Sequence, residues 1–465
     1  MNETLRSRAV RRSILLALVA AVSGTVQADV FTAQTAYNKG DFEQAFKEFK
    51  ELAELGQPTA QYDLAIMYAR GAGVQPNELY AYAWASIAAD NGFDAARELQ
   101  GKLRPDLSPA SRQRISEIRD RFGPKALEER LLPKIQADAT AAAQERQSCR
   151  TTRDRSPEFP ASAWQQGLEG GVYAEYTLLA DGTARDPRVL YARPEGVFDS
   201  SVRESLLHSR FAGSEGKTIV CTKYYEFTKK NEGFRMADPT LAGYMEKVHS
   251  EATAGRADSQ LLYGLMISGL PQLQRPRSEA LSWFLHAAQS GSAIAQYQVG
   301  HSLLTGWGCQ RDEGKGLLWM HLAADHDQPN AQVALAEYAL RGTPDEEKVR
   351  EAKGWLDRAA ASGNREGKIR LAALLAAAPY ADVRDPSRAR SLSDDAFAGG
   401  TDDPTGFEIR AAAAASAGDF DAAATEEGKA LEQASRLGWN LAPLKDRLAH
   451  YQAHQPWSGD LLGVG

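Results

Sequence analysis

The sequence predicts a mainly α protein: an α-solenoid of helix-turn-helix repeats with a 36-residue period, interrupted by a small α+β domain. Two observations point to the solenoid. Trp283, Trp319 and Trp355 recur every 36 residues, and Gly255, Gly291, Asp327 and Gly363 keep the same interval. Nearer the N-terminus, Gly56 to Gly92 and Ala45 to Ala81 repeat it. A third observation marks the interruption. "VYAEYTLLADGTARDPRVL" (172–190) alternates like strands and carries a hairpin signal at Asp181-Gly182.

The N-terminus reads as an export signal. Arg6, Arg8, Arg11 and Arg12 form a basic region, "ILLALVAAV" (14–22) an apolar core, and "VQA" (26–28) a small-residue cleavage site before Asp29. The apolar run falls short of the ~20 residues that a comfortable span requires, although an uncleaved anchor is the competing reading. Arg11-Arg12 also permits twin-arginine export. The expectation is a periplasmic protein with no integral span after signal cleavage. The remaining composition is that of a soluble globular chain: 465 residues, 43% hydrophobic, 25% charged, mean hydropathy -0.43. Cleavage would remove four Arg and one Glu and move the net charge from -7 to -10. The mildly basic stretch 102–134 mixes both signs, which disfavours nucleic acid as a partner.

Repeats begin at once. Residues 29–100 form a first block, 101–148 connecting helices, 149–232 the α+β domain, 240–400 a second block, and 401–465 a helical cap and tail. A 36-residue helical pair cannot bury its apolar face alone, so neighbours stack and leave a concave surface. Small residues mark close helix crossings, and glycines end helices in left-handed conformations. Ser108 and Pro109 open a connecting helix as cap and first residue. "GDFDAA" (418–423) echoes "GDFEQA" (40–45). The motifs "AxxW…AAxxG", "AQYxLA" and "GxGVxxN" (71–77) resemble the Sel-one-like subclass of tetratricopeptide repeats, over 37–96 and 255 to about 400. That resemblance implies protein or peptide partners. "GWGCQRD" departs from it by placing Cys309 where Val74 sits in the first copy.

Within the middle domain, "FPASAWQQG" reads as a short helix opened near Pro160. "VYAEYTL" puts Val172, Ala174, Tyr176 and Leu178 on one face and Tyr173, Glu175 and Thr177 on the other. "RDPRVLYA" completes the hairpin. "FDSSVRESLLHSRF" reads as a helix capped by Asp199, with Val202 and Leu206 on its apolar face, and "TIVCTKYYEFT" as the last strand. "FP" (159–160), Gly167, "EGGV", "DGTARDPRVL", "GVFDSSV", Arg210-Phe211 and "YYEF" resemble the TonB C-terminal domain. The family's Trp and Pro around that Arg-Phe are replaced by Ser209 and Gly213. The resemblance implies strand addition along the last strand: Thr218, Ile219, Val220, Cys221, Thr222, Lys223, Tyr224, Tyr225, Glu226 and Phe227. It also implies outer-membrane receptors as one class of partner. A repeat helix or a second copy covering this edge is the competing expectation.

Cys149 and Cys221 bracket this domain and are expected to pair, closing a 73-residue loop, with Cys309 lone and buried; three buried free thiols are the alternative. No catalytic constellation, cofactor motif or metal site emerges. "GSEGKT" (213–218) lacks the first glycine of a phosphate loop and leads from helix to strand, so it reads as a turn. The pairs His450/His454 and His321/His326 lack further ligands at metal spacing. The sequence therefore points to an exported, non-enzymatic interaction protein of the cell envelope. A TonB-type energy transducer with a retained anchor, and an envelope enzyme recruited by its repeats, are the alternatives. The missing proline-rich spacer and the more than 200 residues after the domain weigh against the transducer.

Overall fold

A computed structural model of the chain describes residues 29–103, 105, 108–136, 149–213, 219–228, 239–270, 273, 275–398 and 403–462. The expected signal segment 1–28, most of the phosphate-loop-like stretch and Thr218 lie outside these. The chain forms two compact units, Met1–Glu129 with Gln289–Ser292, and Arg130–Ala288 with Ala293–Gly465.

In the first unit, α1 (Val30–Lys39), α2 (Phe42–Glu54), α3 (Pro58–Arg70), α4 (Glu78–Asp90), α5 (Asp94–Lys102) and α6 (Pro109–Phe122) succeed one another, with α7 (Pro124–Arg130) at its end. Their boundaries follow from local chemistry. Asp41 and Asn77 accept the third helical N–H of α2 and α4, and the Gln57 side chain does the same ahead of Pro58. Ser108 caps α6 as its sequence suggests. Phe49, Leu52, Leu64, Met67, Trp84 and Ile87 fill the core between them.

The second unit opens with β1 (Thr151–Arg153), α8 (Ala161–Gln166), β2 (Gly170–Leu178), β3 (Ala184–Arg193), α9 (Asp199–His208), β4 (Arg210–Phe211) and β5 (Ile219–Phe227). The sheet is antiparallel in the order β3-β2-β5, while β1 pairs with β4 in a small ribbon that the sequence does not announce. The hairpin turns where Asp181-Gly182 stands. Gly182 adopts φ +80° and approaches the Phe211 carbonyl, while Asp181 Oδ1 accepts from the Thr183 N–H and hydroxyl. Asp199 is not the cap of α9. Phe198 holds that position without a side-chain bond, and Asp199 is the first helical residue. Its carboxylate instead accepts the Gly196 N–H, still beside the positive end of the helix.

Paired helices complete this unit: α10 (Pro239–Thr253), α11 (Ala257–Gly269), α12 (Arg277–Gln289), α13 (Ala293–Thr305), α14 (Glu313–Asp325), α15 (Pro329–Ala339), α16 (Glu346–Ala361), α17 (Arg365–Ala377), α18 (Pro386–Ala396), α19 (Thr405–Ser416), α20 (Phe420–Arg436) and α21 (Ala442–Gln452). The 36-residue period has two physical causes. Gly255, Gly291 and Gly363 take φ near +90° at turns between helices, and Asp327 is forced to φ +54° at the same place in its repeat. The second cause is a buried glutamine. Gln260, Gln296 and Gln332 each donate Nε2 to the carbonyl eight residues earlier (Ala252, Ala288, Ala324), and Gln61 does so to Ala53 in the first unit. Each bond brings a further donor to a carbonyl at the end of the preceding helix; those of Ala53, Ala252 and Ala324 also accept the backbone N–H three residues on. The echo "GDFDAA" is real at this level too: Gly40 and Gly418 are left-handed, and Asp41 and Asp419 cap the helices α2 and α20.

Gln296 Oε1 also bonds His326 Nδ1, whereas the Oε1 of Gln332 is buried without a partner. Gln296→Leu is expected to destabilise the protein by about 1–3 kcal/mol, because the buried amide's bonds to the Ala288 carbonyl and to His326 Nδ1 are both lost. Gln332→Leu removes an orphan acceptor together with its bond and should cost less than half as much. Urea unfolding of both variants decides it, and equal costs would refute the account.

The C-terminal helices hold a second buried device. Arg447 donates to Glu408 (2.8 Å) and to Glu427 (3.2 Å), leaving Glu427 Oε2 buried and unpaired. Burial, aided by Glu408 and opposed by Arg447, pushes the Glu427 carboxyl up to about 8. A carboxyl raised above its unfolded value of 4.5 contributes fully below that value and loses the contribution as pH climbs towards 8. Stability should therefore fall over that window with a slope of up to one proton, and Glu427→Gln should flatten it. Denaturant midpoints measured across the window check this.

Candidate interaction surfaces

β5 ends the sheet. It bonds β2 along its whole length, from Gly170↔Phe227 to Leu178↔Ile219, and no strand among the described residues pairs with its other side. Its alternation sends Cys221, Lys223, Tyr225 and Phe227 to the same face as Val172, Ala174 and Tyr176, where α9 contributes Val202 and Leu206. Phe198 stacks on Phe227 with centroids 4.2 Å apart. Lys223 reaches Asp154 at 3.2 Å and lies over the Tyr225 ring. Cys149 and Cys221 form a disulfide, so the segment before β1 is tied to the middle of β5. Val220 is 43% exposed, the most open side chain of the strand.

The opposite face of the sheet is covered by the chain's own repeat helices. The Ser268 hydroxyl donates to the Tyr173 hydroxyl at 3.2 Å, and His301 stands 3.7 Å from the Glu175 carboxylate. His301 and Glu337 occupy one position of successive repeats, and Glu337 binds Arg188 through both nitrogens of the guanidinium fork (2.6 and 3.1 Å). Arg188 also bonds Asp186 (2.7 Å), and Arg370 bonds Asp186, Glu366 (2.6 Å) and Glu337 (3.2 Å). Burial raises the Asp186 carboxyl, but the adjacent Arg188 and Arg370 outweigh it and hold it down at about 2. Burial and the neighbouring Asp186 push Glu366 the other way. Further along, Arg185 stacks on Trp439 at 4.1 Å and Arg210 donates to the Leu437 carbonyl.

The first helices of the repeats α11, α13, α15 and α17 thus hold the sheet in the second unit. The open concave surface expected from stacked repeats is occupied there by the sheet's second face. Of the expected strand-addition residues, Ile219 to Phe227 lie together on β5; Tyr224 is pinned at its face by α11, where Gly269 leaves no room for a methyl group.

Two further features surround this core. A cavity of about 360 Å3 lies between α15, α16 and α17 and the returning tail, lined by Leu340, Leu356, Leu374, Tyr380 and Leu461 together with Glu337 and Arg370. Gly459 fixes the tail by donating to the Ala377 carbonyl. Cys309 is buried, donates to the Ser302 carbonyl, and burial pushes its thiol up to about 11, so it is a poor nucleophile. It lies beneath an extended segment that the sequence did not reveal. Ile135 bridges Cys309 in antiparallel fashion, Gln136 N–H donates to Gly308 and Gln310 N–H to Lys134. Trp319 Nε1 and Lys315 Nζ hold the carbonyls of Leu131 and Leu132.

The histidines have packing roles. His326 bonds Gln296, His321 faces Trp355, His450 meets Trp457 edge-on and His454 stacks on Phe420. Among the described residues no three potential metal ligands cluster, and no helix is long and apolar enough to cross a membrane.

Gly269→Ala places a methyl carbon 2.7 Å from Tyr224 Cβ and 2.9 Å from its backbone nitrogen. The variant should lose about 1–3 kcal/mol and loosen β5 from α11. Faster amide exchange in 219–227 than in 58–70 is the expected readout.

Comparison with known proteins agrees with this geometry. The Sel1 repeat family model matches residues 58–93, 293–328 and 329–364. The alginate biosynthesis protein AlgK of Pseudomonas aeruginosa is 32% identical over 66 residues, which span 14% of this chain and 14% of that protein. Among solved structures, a Sel1 repeat protein from Oxalobacter formigenes is similar at TM-score 0.30 and 15% identity, over 79% of this chain and 98% of its own. A protective antigen of uropathogenic Escherichia coli with an SLR fold gives 0.31 and 17%, over 92% and 86%. Yeast Tom70 gives 0.29 and 12%, over 90% and 79%. At these TM-scores the structural likenesses carry no argument. What the sequence matches and the helix pairs establish together is that the chain carries Sel1 repeats in both of its compact units.

Proposed function

We propose that the protein is an exported, non-enzymatic interaction protein of the cell envelope, and that β5 receives an extended segment of a protein partner by strand addition. The observation that supports this reading is the combination at β5. Both of its faces are packed, one by α9 and one by α11, and β2 takes one backbone edge, so the remaining edge is what the strand offers. A strand held in this way is pre-organised, and main-chain pairing along it costs little ordering of the receiver. Export rests on the basic and apolar N-terminal residues, and the type of partner, outer-membrane receptors included, rests on the likeness of 159–229 to the TonB C-terminal domain. The repeats of the second unit act in this scheme as the mount for the sheet.

A photo-cross-linking residue placed at Val220 in the exporting cell tests the proposal. Discrete protein adducts at Val220, lacking when the probe is moved to the exposed Leu318, are the expected result. Indistinguishable adduct patterns at the two positions would remove strand addition from the function.

A further inference from the structure

The repeats matched at 58–93 and 293–328 are related by a shift of 235 residues, which superposes Gly71, Gly73, Val74, Asn77 and Trp84 on Gly306, Gly308, Cys309, Asp312 and Trp319. Their inter-helix turns are built alike. Gly71 and Gly73 have φ of +71° and +70°, Gly306 and Gly308 +79° and +72°, and Asn77 and Asp312 cap the helices α4 and α14. Gly73 leans on the backbone at Phe42 as Gly308 leans on that at Arg277, again 235 residues apart.

The turns differ in what lies on them. At the second, Leu131–Gln136 is seated as an extended segment: two backbone bonds flank Cys309, and Trp319 and Lys315 hold two carbonyls upstream. Cys309, paired with Ile135, is 3% exposed, while Ile135 is 48% exposed. At the first turn Val74 stays half-buried, and no described residue bonds the Gly73 carbonyl or the Gln75 N–H. Trp84 stands where Trp319 does, and its indole N–H meets no acceptor among the described residues. Tyr80 replaces Lys315; its hydroxyl oxygen accepts from Arg114, which leaves its own proton to donate. Phe42, 40% exposed and packed edge-on against Tyr37, adds an apolar wall beside Gly73.

We infer that the turn 72–76 of the first unit is a second receiving edge, which takes an extended apolar segment of a partner protein in the register that Leu131–Gln136 adopts on 308–310. The incoming residue opposite Val74 is a β-branched or other apolar side chain, paired with Val74 as Ile135 is with Cys309. Its neighbours exchange N–H and C=O with the Gly73 carbonyl and the Gln75 N–H, and a carbonyl four residues upstream meets Trp84 Nε1. Lys134, exposed beside Ile135, shows that a cation is accepted next to the apolar position. This edge is independent of β5, so either can fail without the other.

The probe is a labelled hexapeptide, Leu-Leu-Pro-Lys-Ile-Gln, titrated against the full chain by fluorescence anisotropy with amide exchange to locate it. Saturable binding is expected below about 1 mM, since a free peptide lacks the effective concentration of a tethered one. Val74→Asp should weaken it at least about tenfold, and so should N-methylation of the peptide's Gln amide, which acts on the ligand and leaves the protein's folding untouched. Exchange should slow at 71–77. Binding that saturates nowhere below that concentration, protection confined to 306–312, or an N-methylated peptide that binds equally well would each overturn the inference.

Discussion

The second unit depends on one buried ionic cluster, in which Asp186 and Arg188 of β3 meet Glu337 of α15 and Glu366 and Arg370 of α17. Three carboxyls and two guanidinium groups are largely withdrawn from water; the side chains of Arg370 and Glu366 are 6% and 8% exposed, those of Arg188, Glu337 and Asp186 14%, 20% and 25%. Removing such groups from water costs several kcal/mol each, and only good geometry with further hydrogen bonds offsets it. The geometry here is good, since both arginines bond at least two acids. One acid is in excess, and burial together with the neighbouring Asp186 raises the Glu366 carboxyl. What such a cluster supplies is register. An apolar patch would let the sheet slide over the helices, whereas these bonds close only when β3 faces α15 and α17 in one position. Asp186 even adopts φ +52°, a backbone conformation uncommon for its type, to take part.

From that docking follows the distribution of surfaces. Tyr173, Glu175 and Tyr224 are spent on the helices, Val172, Tyr176 and Phe227 on α9, and the disulfide ties β5 to the segment that precedes β1. In the chain-entropy picture, closing that long loop contributes on the order of 4 kcal/mol, comparable to several buried contacts. The sheet is thus held through packing on both sides, and the backbone edge of β5 is the part that no described strand pairs with. Repeats usually give their inner helices to a partner; in this unit those helices hold a piece of the same chain.

The same logic explains the extended segment at Cys309. The turn "GWGCQ" differs from "GAGVQ" at two side chains, yet both glycines of each take the same left-handed conformation. A turn with two left-handed glycines presents a short edge with a free carbonyl and a free N–H, and a nearby chain will pair with it when apolar side chains cover the join.

The sequence by itself determined the period, the helix ends and the strand alternation, because these are local. Gly255, Gly291, Gly363, Asp41, Asn77 and Ser108 act within a few residues of themselves, and the faces of β2 follow from its pleat. It also placed Cys149 and Cys221 at the edges of one domain, so their pairing was within reach. The Gln–carbonyl bonds were visible as a recurring residue but not as an interaction, since one letter does not show where an amide points. Asp before a helix is usually a cap, whereas Asp199 is the first helical residue and its carboxylate accepts the Gly196 N–H. Tertiary structure alone decided that the sheet fills the repeat surface, that Asp186 and Arg370, 184 residues apart, meet, and that Ile135 lies on Cys309. These contacts join distant residues whose charge or apolarity would suit an exposed position equally well, and periodicity carries no information about which distant face a side chain will find.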